Sequence, residues 1–140
     1  MRMDREKLKE LYEHYNLQHS DIFTKKVGEK SYTIIKRQGI EKIQSQESIN
    51  ISYEVIRCET NFAVIKANAY VSHKPNDHIE TFGSALKGSK YNDGNCMNWY
   101  VAEMAEKRAL SRAVLKLTGF YELGVMGEDE SDDFKETKSN

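Results

Sequence analysis

The sequence predicts an α+β fold: an N-terminal helix, an antiparallel β-meander of three to four strands, and a long C-terminal helix packed on the sheet. Two observations carry this prediction. Near both ends of the chain, apolar residues recur every three or four positions, which is typical of one face of a helix. In the middle, apolar and polar residues alternate over short stretches separated by turn-forming residues, which is typical of half-buried strands. The length of 140 residues fits one domain better than two.

The residue pattern in the first part of the chain predicts two helices and one strand. Leu8, Leu11 and Tyr15 recur at helical spacing, and Asp4 precedes them in a capping position. The stretch around Gly28 has no clean period and is predicted to be a loop. A β-branched and aromatic run comes next, and isoleucines three residues apart follow it. The predicted helix, loop, strand and second helix cover residues 4–17, 19–30, 31–36 and 39–46.

Three strands follow and form the predicted meander. Turn-forming residues separate them, including the single proline, Pro75, and Gly83 is a candidate for a β-bulge in the third strand. The second strand has an apolar face made mainly of alanines, on which a helix can lie closely. The strands cover residues 51–58, 62–72 and 79–86, and the apolar face of the second consists of Ala63, Ile65, Ala67, Ala69 and Val71.

The last predicted helix covers residues 99–117, with Asn98 as its cap and Gly119 as its stop. Trp99 lies in its first turn, where we expect it to be buried in the core. Four alanines fall on one face of this helix, and we expect them to pack on the alanines of the second strand. These residues are Ala102, Ala105, Ala109 and Ala113.

Charge is unevenly distributed along the chain. The formal net charge is −1, but the segment from Glu128 onward has six acidic residues against two lysines, so the rest of the chain carries +3. A basic body with an acidic tail suits a protein that meets an anionic polymer, although charge alone is better explained by a solvated tail. We predict an N-terminal helix and loop (1–30), a core domain (31–126) and an acidic, disordered tail (127–140) that is a candidate contact for a protein partner.

Several kinds of chemistry have no signature in the sequence. No Gly-Lys-Ser/Thr triplet occurs, so ATP hydrolysis is not expected. The histidines and cysteines have no metal-ligand spacing, and we expect neither a metal nor another cofactor, nor a catalytic residue. No apolar run approaches the roughly 20 residues that a membrane helix needs. Cys58 and Cys96 are expected to be reduced thiols in a cytoplasmic protein.

A cationic stripe follows the last predicted helix. Arg108 and Arg112 are four residues apart, with Lys107 at the edge of their stripe. Such a row is spaced to meet successive phosphates of a nucleic acid. Taken alone, however, the stripe is better explained as a solvated helix face with intrahelical ion pairs.

The loop ahead of this helix favours the nucleic-acid interpretation. It brings Lys87, Lys90 and Tyr91 beside Trp99 and Tyr100 at the helix start. Interleaved basic and aromatic side chains are what a groove for a single strand needs, because phosphates attract cations and unstacked bases stack on flat rings.

Three segments, taken in order, resemble a known family. The segment from Tyr32 to Ile43 precedes the meander, and the last strand reads Glu80-Thr81-Phe82-Gly83-Ser84-Ala85. Lys107-Arg108-Ala109-Leu110 then lies on the long helix that ends at Gly119. In residues 31–119 the chain resembles the annealing core of the Rad-fifty-two superfamily of single-strand annealing proteins, particularly its short phage and prokaryotic members.

The resemblance implies a homo-oligomer, either a ring or a helical filament, that anneals complementary DNA strands in recombination or repair without nucleotide hydrolysis. By this match, Lys107 and Arg108 fall on positions that hold the DNA backbone, and Arg37 lies near a further basic position.

We therefore expect a protein that binds and anneals single-stranded DNA, and two alternatives stay open. A double-stranded RNA-binding domain has the same order of one helix, three strands and one helix. A scaffold that assembles through its sheet edge would bind no nucleic acid. The residues expected to contact single-stranded DNA are Lys36, Arg37, Lys87, Lys90, Tyr91, Lys107, Arg108 and Arg112.

Overall fold

The computed structural model describes residues 2–89 and 93–129 and has the predicted α+β fold. An N-terminal helix precedes a three-stranded antiparallel meander, and a long helix packs on that sheet. The helices are α1 (Arg2–His14), α2 (Arg37–Glu47) and α3 (Val101–Thr118). The strands are β1 (Ile22–Val27), β2 (Lys30–Ile35), β3 (Ile49–Cys58), β4 (Phe62–Val71), β5 (Ile79–Leu86) and β6 (Val125–Gly127). Short 3-10 helices cover His19–Asp21 and Tyr121–Leu123.

The strands form two sheets. The meander has the order β3-β4-β5, and its regular register is interrupted between Val55 and Arg57 of β3. The second sheet has the order β1-β2-β6, in which β6 runs parallel to β2. The prediction of a loop before β2 was therefore wrong, because β1 pairs with β2 across a tight turn at Gly28, whose φ is +63°. The pairing with β6 brings the end of the described chain back to the start of α2.

Helix α3 lies directly on β4 and β5, as the alanine patterns predicted. Ala105, Ala109 and Ala113 are fully buried, and Ala67 and Ala69 of β4 belong to the same apolar core as Ala109 and Ala113. Small side chains on both elements let the helix axis approach the sheet closely.

Gly83 is the point of closest approach between α3 and the sheet. It pairs with Ile65 in a regular register, so the β-bulge considered at this position is absent from β5. A Cβ at Gly83 would overlap the Ala105 carbonyl oxygen and lie 2.5 Å from Ala109 N. The missing side chain therefore makes room for the helix backbone and not for a strand irregularity.

The N-terminal helix packs on the same core from the side. Tyr15 is buried against Phe120, with ring centroids 5.8 Å apart, and its hydroxyl donates a 2.6 Å hydrogen bond to Glu47. Burial raises the pKa of Tyr15, and the carboxylate of Glu47 raises it further. The helix predicted over residues 4–17 ends at His14, before a turn in which Asn16 adopts a φ of 54°.

A buried carboxylate links the start of β1 to α2. Asp21 accepts hydrogen bonds from Gln18 N at 2.8 Å, Gln38 Nε2 at 2.7 Å and Lys42 Nζ at 2.8 Å. Burial raises the pKa of Asp21, but these three donors outweigh it and hold the pKa below its ordinary value. Together they hold the first turns of α2, where Arg37 lies, against the segment that leads into β1 of the second sheet.

Candidate nucleic-acid interface

Arg108 is the centre of a buried network and not part of a solvated stripe. Its side chain is only 2% exposed. Nη1 donates to the carbonyl of Ser84 at 2.7 Å, Nη2 to that of Asn95 at 2.6 Å, and Nε to that of Asp129 at 3.2 Å. All three guanidinium nitrogens are therefore used within the protein. Arg108, which was expected to face a DNA backbone, is instead buried, and its donors are directed to carbonyls within the protein.

Arg112 covers the outer edge of the sheet beside Arg108. It is half-buried, and its Nη1 donates to the Phe82 carbonyl at 2.7 Å. Asn95 binds both backbone groups of Leu86, accepting from Leu86 N through its side chain and donating from its own N–H to Leu86 O. Backbone groups two residues apart in a strand point the same way, so these contacts all lie along the unpaired edge of β5. The two arginines thus cap a strand edge that would otherwise present free acceptors.

Arg37 and Lys107 both lie near Asp129 at the end of the described chain, and Lys36 directly precedes Arg37. Lys36 is the N-cap residue of α2 and Arg37 is its first residue, and both are half-buried. The Arg37 guanidinium lies 3.9 Å from the Asp129 carboxylate, to which Ser111 also donates a 3.2 Å hydrogen bond. Burial raises the pKa of Asp129, and Arg37, Ser111 and Lys107 lower it by less. The Lys107 ammonium therefore acts on the same carboxylate as the Arg37 guanidinium.

The most exposed aromatic residues of the described chain lie ahead of α3. Trp99 and Tyr100 are 64% and 68% exposed, and Lys87 Nζ lies 4.9 Å from the centroid of the Trp99 ring. We call these three residues the aromatic platform. Asn98 holds the turn by accepting a 2.9 Å hydrogen bond from Tyr100 N. It does not cap the helix itself, whose N-cap is Tyr100.

The expectation that Trp99 is buried was wrong, because α3 begins at Val101 and not at Trp99. Val101 takes the buried position of the first turn, at 3% exposure. Trp99 therefore precedes the packed face of the helix and points away from the core. Two of the predicted contacts, Lys90 and Tyr91, lie outside the described residues.

Arg108 connects the aromatic platform to the cations at the start of α2. Its Nη2 binds Asn95, which directly precedes Cys96, and Cys96 forms an isolated β-bridge with Lys87. Its Nε binds the backbone of Asp129, whose carboxylate lies near Arg37. Of the eight residues predicted to contact DNA, the structure thus places Arg37 and Lys107 near the same carboxylate, that of Asp129, and places Lys87 beside Trp99.

Comparison of the chain with protein-family models, curated proteins and solved structures gives no match.

Three further features of the described residues concern metal ligands, membrane-spanning helices and the cysteines. Within residues 2–89 and 93–129, no group of histidine, cysteine, aspartate and glutamate side chains is arranged to hold a metal ion. The helices of the same residues include none that is both long and apolar enough to cross a membrane. Cys58 is exposed and Cys96 is buried, and both thiols are free.

Proposed function

We propose that this protein binds single-stranded DNA and anneals complementary strands without nucleotide hydrolysis. The observation that carries the proposal is the aromatic platform, in which an ammonium group lies over an exposed indole and a second exposed ring follows in sequence. An exposed indole leaves apolar surface in water and does not contribute to core packing. Base stacking on such a ring contributes about 1–3 kcal/mol per base, and the adjacent cation meets the phosphate.

The backbone of the strand would be held by the cations that keep solvent access. These are Lys87 on the platform, Lys36 and Arg37 at the start of α2, and Lys107 on α3. Arg108 acts indirectly in this proposal, because it binds the backbone carbonyls of Asn95 and Asp129 and contacts no phosphate. A binding surface of this kind reads charge and ring stacking and not base identity, which suits a protein that must accept any pair of complementary strands.

Annealing by an oligomer follows from the resemblance to single-strand annealing proteins, and the sheet offers an edge for assembly. Arg108, Arg112 and Asn95 occupy the β5 edge, so β3 is the open edge of the meander within the described chain. Tyr53, Val55 and Ile56 are exposed beside it. Introducing lysines at Val55 and Ile56 should weaken self-association in sedimentation velocity experiments, whereas Phe82→Lys, at an equally exposed position on β5, should not.

The proposal is tested by fluorescence anisotropy with labelled oligo-dT, duplex DNA and duplex RNA at two salt concentrations. The test variant is Lys87→Ala/Trp99→Ala/Tyr100→Ala. The chain supplies a matched control, since Lys116 Nζ lies 5.2 Å from the Tyr121 ring near the other end of α3. We expect salt-sensitive binding to oligo-dT, at least a tenfold loss in the platform variant, and little change in Lys116→Ala/Tyr121→Ala.

The outcomes separate the alternatives. The order α2-β3-β4-β5-α3 is also that of a double-stranded RNA-binding domain, and a preference for duplex RNA would select that function instead. Failure to bind any of the three nucleic acids at low salt would leave a protein scaffold. If oligo-dT binding is confirmed, a strand-pairing assay without ATP then tests the annealing step.

A further inference from the structure

The described chain ends with two carboxylates that contact Arg37, one of the cations of the proposed binding surface. The backbone N–H of Arg37 donates a 2.9 Å hydrogen bond to Glu128 Oε1. Asp129 Oδ2 lies 3.9 Å from Arg37 Nη1 and accepts a 3.2 Å hydrogen bond from Ser111 Oγ. Arg37 therefore meets an acidic side chain at both its backbone and its guanidinium. We call these interactions the tail contact.

The position of the tail contact is fixed by backbone pairing. β6 runs parallel to β2, with Val125 opposite Thr33 and Gly127 opposite Ile35, so Glu128 arrives beside the start of α2. Gly127 allows this approach, since a Cβ there would lie 2.8 Å from Ser111 Cβ. Arg108 Nε then binds the Asp129 carbonyl at 3.2 Å. These contacts hold the backbone of the segment while leaving its carboxylates to face the cations.

We infer that Glu128 and Asp129 are intramolecular competitors of DNA phosphates for Arg37 and the nearby Lys107. This inference rests on the proposed function. A carboxylate and a phosphate are both anions that accept hydrogen bonds from guanidinium and backbone N–H donors. A strand that uses Arg37 must first displace Glu128 and Asp129, so its apparent affinity falls by the fraction of molecules in which the contact is closed.

The tail contact is suited to exchange. Burial raises the pKa of Asp129 by more than Arg37, Ser111 and Lys107 lower it. The tail contact therefore does not stabilise the ionised form of this carboxylate relative to water. A bound phosphate backbone would take over the same donors and add contacts of its own. The sequence continues with Glu130, Asp132, Asp133 and Glu136, which add negative charge to the same segment.

The test uses the full-length chain with Glu128→Gln/Asp129→Asn, which keeps side-chain shape and removes two negative charges. The control is Glu59→Gln/Asp77→Asn, which removes two exposed carboxylates elsewhere and changes the net charge equally. We expect the tail variant to bind labelled oligo-dT about three- to tenfold more tightly than wild type at low salt, with a smaller gain at high salt. The control should stay within about twofold of wild type.

The results distinguish this inference from the proposed function. If wild type binds oligo-dT and the folded tail variant binds no more tightly than the control, the inference alone is wrong. If neither binds, the proposed function fails and the inference fails with it. Circular dichroism checks that the variant is folded. In a second measurement, a peptide of residues 127–140 is added to the tail variant and should weaken its oligo-dT binding. The same peptide with its acidic residues replaced by the corresponding amides should not. Equal effects of the two peptides would overturn the inference.

Discussion

The guanidinium of Arg108 donates a 2.6 Å hydrogen bond to the backbone carbonyl of Asn95, and this contact fastens the loop ahead of α3 to the helix that follows it. The same side chain reaches Ser84 on β5 and Asp129 at the end of the described chain. One buried cation thus joins three segments that are far apart in sequence. Its fixed fork of donors suits this role, because each nitrogen can point at a separate carbonyl.

Arg108→Ala should strongly destabilise the fold. It leaves three carbonyls without their donor, at about 1–3 kcal/mol for each one that water does not reach. We expect a loss of roughly 3 kcal/mol or more in the free energy of unfolding, measured by urea denaturation. Arg112→Ala is the comparison, since Arg112 is half-buried, and its loss should be about 1 kcal/mol. Equal stability of the two variants would contradict the central role of Arg108.

Gly83→Ala should be destabilising although alanine favours strands more than glycine does. The added methyl group would overlap the Ala105 carbonyl and force α3 away from the sheet. Overpacking of this kind costs about 1–3 kcal/mol, which we expect as a lower melting temperature. Ser84→Ala, at the next position of β5 and on its exposed face, is the control and should change stability by less than about 0.5 kcal/mol. A fully stable Gly83→Ala protein would show that the helix can shift freely.

The strands and helices with strong local patterns could be predicted from the sequence, and the rest could not. Alternation in β4 follows from local burial, so its alanine face was visible in the sequence. Strand β1 was missed because Lys25 and Lys26 interrupt its apolar pattern, and pairing with β2 makes it a strand. The burial of Arg108 depends on carbonyls from Ser84, Asn95 and Asp129, which no local pattern connects.

The candidate site shows the same division between local and distant causes. The sequence indicated that Lys87 lies beside Trp99 and Tyr100 at the start of the last helix, and Lys87 Nζ does lie 4.9 Å from the Trp99 ring. It did not indicate which ring is exposed, because that depends on whether the helix starts at Trp99 or at Val101. The contact between Arg37 and Asp129 could not be foreseen either, since it arises from the parallel pairing of β6 with β2.

Asp21 should make the stability of the protein depend on pH. Its pKa is held below the ordinary value in the folded state, so its ionised form stabilises the fold. That contribution is present above the unfolded-state pKa of about 3.9 and is lost as pH falls through the lower folded-state pKa. Asp21→Asn should therefore cost roughly 2–4 kcal/mol at pH 7, with a difference from wild type that shrinks towards pH 3.

Urea denaturation at several pH values measures this difference. The effects of pH on all other titrating groups are shared by the two proteins and cancel in the comparison. Asp77→Asn removes an exposed carboxylate and should differ little from wild type at any of these pH values. A difference between Asp21→Asn and wild type that stays constant from pH 7 to pH 3 would show that the charge of Asp21 does not stabilise α2.

Trp99 should report directly on nucleic-acid binding, because it is the only tryptophan in the chain. At 64% exposure, its emission in the free protein should resemble that of indole in water and be readily quenched by acrylamide. A base stacked on the ring would quench the emission and shield it from acrylamide, so oligo-dT should change both quantities with the same midpoint as the anisotropy titration. Lys87→Ala should weaken oligo-dT binding and leave the Trp99 emission of the DNA-free protein in the wild-type range. Lys116→Ala should change neither the binding nor the emission. If oligo-dT binds by anisotropy while Trp99 emission and acrylamide access stay constant, the strand lies elsewhere and the aromatic platform is not its site.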